Sequence, residues 1–461
     1  MNSFIYLSAD EQRRRLSNIA VAEQSVRGCL RRHLITDYLP GQVTYNLGEY
    51  PALAPWEPSE EDERLLGEYR AAGVELVQLH EEWNDAERLF GGDKFTPTNR
   101  AGLRRFIDMA HRQGLKVLLY GSTGFFEERD PDFRREWARE GNHLVEAWFR
   151  YAHCSPASPS WRAYLLPRLL ALMDEWGADG IYDDCGYSRE AWNLPATEDE
   201  VLAFEERADR DGAFADLLAL VYAAVKQRGG IFKVHISGTG APLTDLRVYD
   251  YLWVGEGIAD LDGQREVVKH HSPYVVPAFD LSRARPANED ELYLHAIPYL
   301  QFPLLIGGRP VTGERMVVPG LQYQPEETDF WTRHMRAIRR HYLEHPEGPH
   351  SYGWWDSTPG RPDAFDRFRH WLALYRPLVT PGTWAYLEVK DSALWHSPLP
   401  EGVVASLFAN QELWLVLANY THAAVEVATR DPFVPAGDAV TAPSTRFRLP
   451  GRTLQILRRS S

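Results

Sequence analysis

The sequence predicts a (β/α)8 barrel followed by a small antiparallel β domain. Three observations carry that expectation. Between residues 41 and 381, short apolar runs alternate with charged, helix-patterned segments. The polar residues of those runs gather at their C-terminal ends, where barrel enzymes keep their chemistry. From residue 382 onward the helical segments stop, and short strands follow, split by Pro, Gly and Asn turns. With 461 residues the chain exceeds what one core usually supports. The expected division is an N-terminal extension packing on the barrel (1–40), the barrel (41–381) and the β domain (382–461).

The elements follow in order. "QVTYNLGEYP" reads as the first strand, and "SEEDERLLGEYRAAG" as a helix opened by Ser59 and a run of acids. "VELVQLHEEW" is the second strand, "NRAGLRRFIDMAHRQG" the next helix and "LKVLLYGSTG" the third strand. A helix is expected near "PDFRREWARE", then an irregular piece, "HLVEAWFRYAHCSPASPS". The helix "WRAYLLPRLLALMDEWG" feeds the fourth strand, "DGIYDD". A long helix, roughly Glu198 to Arg228, leads to "IFKVHISG"; "YDYLWVGEG", "SPYVVPAFD" and "FPLLIGG" complete eight strands. Their ends present Glu49, Glu81, Ser122, Asp184, Ser237, Glu256 and Asp280. The closing domain is read from "TWAYLEV", "GVVASLFAN", "ELWLVLANY", "AAVEVAT" and "RTLQILRR".

Composition narrows the partners. A net charge of −15 argues against nucleic acid and anionic membranes. No apolar run reaches the roughly 18 residues of a membrane span, and no signal core opens the sequence. The 15 Trp and 22 Tyr suit flat ligands such as sugar rings as well as large cores. Three cysteines, Cys29, Cys154 and Cys185, lack metal-type spacing and suit a reducing, cytoplasmic setting. No HxH, HExxH or P-loop pattern is present, and "GEG" alone is no phosphate loop, so neither metal nor cofactor is expected. A homo-oligomer is left open.

The densest signal is "WGADGIYDDC", where two acids follow an apolar strand. A carboxylate at a barrel strand end can attack an anomeric carbon and carry a glycosyl intermediate; the structural alternative is a helix cap or paired surface acid. Residues i and i+2 of a strand share a face, so Asp184 points with Tyr182 and Asp183 points the other way. One of the two acids is therefore the inward one. "YLWVGEGIAD" offers Glu256 between Gly255 and Gly257, as a general acid or as one half of an ion pair. By period two, Trp253 points away from Glu256 and walls a pocket with it only if the glycines break the alternation. Asp260 and Asp262 fall where the next helix begins and read as its cap. In "LHEEW", Glu81 and Glu82 can accept hydrogen bonds from sugar hydroxyls, and Trp83 can stack on a ring or fill the core. "IFKVHISG" sets Lys233, His235 and Ser237 on one face as further substrate contacts or as satisfied core groups.

"LMDEWGADGIYDDC" resembles the fourth-strand motif of the retaining α-galactosidase clan, the α-galactosidases and α-N-acetylgalactosaminidases, which runs roughly WGVDYLKYDNC. Trp176, Gly177 and Asp179 fall on its first residues, and Asp184 falls on the family nucleophile. "VELVQLHEEW", "RQGLKVLLYGSTG" and "WVGEGIAD" lie where the clan has its second, third and sixth strands. Tyr182 stands in place of the clan's sugar-binding lysine, a role Lys233 could take over. Glu81, Glu82 and Glu256 replace aspartates. The resemblance implies a differently specialised α-glycosidase, retaining, with Asp184 as nucleophile and Glu256 as acid/base. Rival readings are an inverting or differently paired glycosidase using Asp183 or Asp280, and a non-catalytic carbohydrate-binding barrel.

Overall fold

The computed structural model describes residues 8–25, 30–31, 38–47, 56–80, 83, 95–128, 130–146, 149–184, 210–235, 248–254, 260–269, 275–277, 290–309, 344, 364–380, 383, 385–389, 393–437 and 441–460. They form two compact units. One comprises residues 41–285 and 303–364; the other comprises 1–40, 286–302 and 365–461.

The first unit is a (β/α)8 barrel. Its strands, in chain order, are Gln42–Asn46, Leu76–Leu79, Lys116–Gly121, Gly180–Asp184, Ile231–His235, Tyr251–Val254, Val275–Pro277 and Leu305–Gly308. All neighbours pair in parallel, in the order seven-six-five-four-three-two-one-eight, which is barrel order cut between the seventh and eighth strands. Helices fill the crossovers where the charged segments predict them. Glu60–Ala72 starts after Ser59, Arg100–Arg112 after Asn99, whose side chain accepts from Gly102 N, and Pro159–Asp174 after Ser158. Leu261–Val268 is capped by Asp260, which accepts from Gly263 N at 2.6 Å. The long fourth crossover helix is described over Arg210–Gln227. None of the described helices is long and apolar enough to cross a membrane.

Two contacts fix which face of each strand is inside. Lys233 Nζ donates to Gln42 Oε1 at 3.1 Å, joining the fifth strand to the first, which are not sheet neighbours. Only the barrel interior brings those strands together, so Gln42, Thr44 and Asn46 face inward by period two. Tyr45 faces the helices, donating to Asp62 Oδ1 at 2.6 Å. Burial opposes the charge of Asp62, but hydrogen bonds from Arg309, Tyr45 and Ser59 outweigh it and hold the carboxyl below its usual range. This buried pair ties the first crossover helix to the end of the eighth strand.

Between the third strand and its helix the structure departs from the sequence expectation. No helix forms near "PDFRREWARE": Arg135–Trp137 makes one 3-10 turn, and Ala138–Glu146 continues as a strand. It pairs antiparallel with Phe149–Cys154, which pairs with Phe125–Glu127. The segment read as irregular is thus a three-stranded sheet inserted into the barrel. Its Arg/Glu-rich start has helical composition, but Trp137 and Phe126 are fully buried against Trp161, and that packing outweighs local propensity.

The second unit is a seven-stranded antiparallel sheet. Leu413, Leu415 and Leu417 enter its apolar core at period two, with Leu407, Phe433, Leu449 and Leu457. The strand Ser444–Leu449 adds to those read from sequence. Residues 1–40 are expected to pack on the barrel, but one of their strands joins this sheet and their helix hydrogen-bonds to this unit. Leu30 and Arg31 pair with Leu387 and Tyr386, covering an edge that would otherwise be open, and Asn18 Nδ2 in helix Ala9–Ser25 donates to the Gln411 carbonyl at 3.1 Å. The helix Asp290–Ala296 belongs here too: Trp371 Nε1 donates to Asp290 Oδ1 at 2.7 Å and Tyr420 OH to the Leu294 carbonyl at 2.9 Å.

Candidate active site at the C-terminal end of the barrel

Asp184 is the last residue of the fourth strand, and its side chain is 21% exposed. Tyr120 OH, from the third strand, donates to its Oδ2 at 2.8 Å. His235 Nδ1, its register partner on the fifth strand, lies 3.3 Å from Oδ1. Ser122 Oγ donates to the Asp184 carbonyl at 2.6 Å and accepts from Phe125 N at 2.7 Å, so the same hydroxyl holds the strand end and the start of the insertion. Asp184 is the inward acid of the pair.

Asp183 faces the helices and is fully buried. Its Oδ1 accepts from Thr123 N and its Oδ2 from Thr123 Oγ1, both at 2.8 Å. Trp161 Nε1 in turn donates to the Thr123 carbonyl at 3.0 Å. Burial raises the Asp183 carboxyl to about 7, against the two Thr123 hydrogen bonds, and the neighbouring Asp184 charge adds to the rise. A wholly buried acid on the helix face does not meet a ligand at the barrel mouth, so Asp183 is set aside as a catalytic carboxylate.

Rings line the interior around Asp184. His80 lies 5.0 Å from Tyr120 and 5.7 Å from Tyr182, centroid to centroid, and Tyr120 lies 5.6 Å from Tyr182. Trp253 meets His235 edge-on at 3.8 Å and Tyr182 at 6.1 Å. Trp253 is therefore the inward residue of the sixth strand. Strict alternation beyond it would bring position 255 inward rather than 256.

Lys233 sits deeper, fully buried on Gln42, with its ammonium 6.0 Å from the centre of the Tyr182 ring. It lies one inward position below His235, so it does not occupy the place of a ligand-binding lysine beside Asp184. Trp83 is also fully buried and presents no open face for a sugar to stack on. Glu81, Glu82, Glu256 and Asp280, with Glu49, Ser237, Cys29 and Cys185, lie outside the described residues. Cys154 is a buried free thiol, and burial pushes its pKa well up.

Tyr120 carries no motif that marks it in the sequence, although it lies two residues before Ser122 and so shares its face. The same is true of Asn46 and Gln78. Both are inward and at least nine-tenths buried; Asn46 Oδ1 and both amide atoms of Gln78 have no hydrogen-bond partner among the described residues. The same holds for Trp253 Nε1.

No protein-family model matches the chain, and no curated protein matches it in sequence. Solved structures do match. The α-glucosyl transfer enzyme XgtA superposes with a TM-score of 0.55 at 11% identity, over 92% of this chain and 99% of its own. The trehalose-6-phosphate hydrolase TreA of Bacillus licheniformis gives 0.52 at 12% identity, over 92% and 99%. The noncanonic maltogenic α-amylase AmyB of Thermotoga neapolitana gives 0.52 at 11% identity, over 91% and 99%. At such identities the likeness is one of architecture: the chain has the fold of these proteins, a (β/α)8 barrel with a C-terminal antiparallel β domain.

Proposed function

We propose that this chain is a glycoside hydrolase that cleaves an α-linked glycoside with retention of configuration. The observation that carries the reading is the setting of Asp184. It is an inward, part-exposed carboxylate at the end of the fourth barrel strand, with a tyrosine hydroxyl on one oxygen and an imidazole beside the other. Tyr120 and His235 fix the rotamer of the carboxylate without covering it. The surrounding rings of Tyr120, Tyr182 and His235 are buried and form the packed floor on which the Asp184 carboxylate stands. The α-linkage rests on the resemblance to the α-galactosidase clan and on the names of two structural neighbours, an α-glucosyl transfer enzyme and a maltogenic α-amylase. The sugar itself is left to a panel of α-galactosides, α-glucosides and N-acetylhexosaminides.

In the first step an Asp184 oxygen bonds to the anomeric carbon as the bond to the leaving oxygen breaks. Glu256 gives its proton to that oxygen. In the second step Glu256 takes a proton from water, the water oxygen bonds to the same carbon, and the ester to Asp184 breaks. Two inversions return the sugar in its original configuration. This role requires the alternation of the sixth strand to end at Val254, which Gly255 and Gly257 permit. It also requires the two carboxyls to stand roughly 5–5.5 Å apart.

The test is the anomer released first. Proton NMR of a fresh digest of an α-glycoside should show the α-sugar before mutarotation; a β-sugar appearing first would mean inversion and a different pairing. A second expectation concerns Tyr120→Phe, which keeps the ring and removes one hydrogen bond to a charged group. That bond is worth roughly 1.5–3 kcal/mol, so kcat/KM on an aryl glycoside should fall about ten- to a hundredfold. An unchanged value would remove Tyr120 from the site.

A further inference from the structure

A recess lies between the inserted segment and the helix Pro159–Asp174, lined by residues that take no part in the Asp184 site. Its volume is about 510 Å³, and its walls include Asp132, Phe133, Arg134, Ser160, Tyr164 and Arg168. That size falls within the range of small-ligand pockets, roughly 300–1,000 Å³.

The walls are set in place from below. Trp137, Trp161 and Phe126 are fully buried, and the half-buried rings rest on them: Tyr164 lies 4.7 Å from Trp137 and 6.1 Å from Trp161, and Phe133 lies 6.3 Å from Trp137. The Arg168 guanidinium lies 3.6 Å above the Tyr164 ring. Tyr164 OH donates to Asp132 Oδ2 at 2.9 Å, and Arg168 approaches the same oxygen at 3.7 Å. Ser160 Oγ donates to Glu136 Oε1 at 2.9 Å, with Arg134 3.9 Å from that oxygen. A recess of this kind binds without first ordering its walls.

The lining also selects the ligand. The Arg168 guanidinium, stacked on the Tyr164 ring, presents a flat face that suits a flat, partly apolar molecule. Arg168 is balanced by Asp132 and Arg134 by Glu136, so the walls favour neither ion, while their donors and acceptors suit a neutral hydroxylated molecule. We infer that this groove is a second carbohydrate-binding site, taking one or two neutral sugar residues away from the Asp184 site. The inference rests on the reading of the chain as a carbohydrate-active enzyme. Its consequence is that a longer substrate is held at two points, which raises the effective concentration of its scissile bond at Asp184.

The experiment uses the full chain, with maltotetraose and a galactosylated mannotriose as probes. Turnover of both oligosaccharides and of an aryl monosaccharide glycoside is measured for the parent and for Tyr164→Ala and Arg168→Ala. Calorimetric binding is measured in the same backgrounds carrying Asp184→Asn. The groove variants should weaken oligosaccharide binding about tenfold, the effect of losing an anchoring aromatic or arginine contact. They should lower oligosaccharide kcat/KM by a similar factor and leave the aryl glycoside unchanged, which also reports an intact fold. Tyr164→Phe, which keeps the ring, should retain most of the binding. If turnover is present but neither variant changes oligosaccharide binding, the groove assignment falls and the enzyme reading stands. If no glycoside is turned over but Tyr164→Ala abolishes sugar binding, the groove stands and the enzyme reading falls. Absence of both turnover and binding overturns both.

Discussion

Asp184→Asn should reduce turnover of an activated aryl α-glycoside on the order of 10⁴-fold or more, the scale at which loss of a catalytic nucleophile is felt. That corresponds to roughly 5 kcal/mol of lost transition-state stabilisation. The substitution is close to isosteric. An amide oxygen can still accept from Tyr120 OH, and the neutral side chain still fits beside His235. What disappears is the anionic oxygen that bonds to the anomeric carbon, so binding should persist while chemistry stops. A second variant separates a nucleophile from an ordinary site residue. Asp184→Ala opens space on the attacking face, and added azide should restore turnover as a β-glycosyl azide, because one displacement then replaces two. Retention of activity within about tenfold by Asp184→Asn would place the residue among supporting groups only.

The parts of the molecule legible from sequence were those governed by local periodicity. All eight barrel strands lie within the apolar runs that predict them, because each run is bounded by turn residues. Alternation also separates the two acids of the fourth strand, since it persists to the strand's last residue: Tyr182 and Asp184 share the interior with Tyr120 and His235, and Asp183 turns to Thr123. What was not legible depends on register and distant packing. Tyr120 reaches Asp184 only because Tyr120 pairs with Tyr182 across two strands separated by the whole insertion. The phase of the sixth strand is hidden because Tyr251, Leu252, Trp253 and Val254 are all apolar and all buried, so no polar residue marks the inner face. The inserted sheet escaped because a run of arginines and glutamates has helical composition, whereas the aromatic residues around it decide its conformation by packing. Trp83 and Lys233 carry side chains suited to a sugar, yet both are fully buried.

The second large effect concerns the acid beside the proposed nucleophile. Asp183 binds a proton up to about pH 7 in the folded chain, whereas an unfolded aspartate releases it near pH 4. Between those values the folded state holds more protons than the unfolded state, so this group makes stability fall as pH rises, at most about 1.4 kcal/mol per pH unit. Above pH 7 both states are ionised and the contribution is level; below pH 4 both are protonated and the cost is absent. Asp183→Asn removes the titration and keeps an acceptor for Thr123 N and a donor for Thr123 Oγ1. Its urea midpoint should therefore fall less steeply from pH 4.5 to 7.5 than that of the parent, with the two curves diverging toward the upper end. Asp183→Ala is a different case. It strips the acceptor from two buried donors at the start of the insertion, at roughly 1–3 kcal/mol each, and should lower the midpoint at every pH. Parallel curves for the parent and Asp183→Asn would show that the carboxyl is already ionised throughout this range. Activity completes the argument: if the strand end divides the two acids by face, Asp183→Asn keeps turnover while Asp184→Asn, one residue away, loses it.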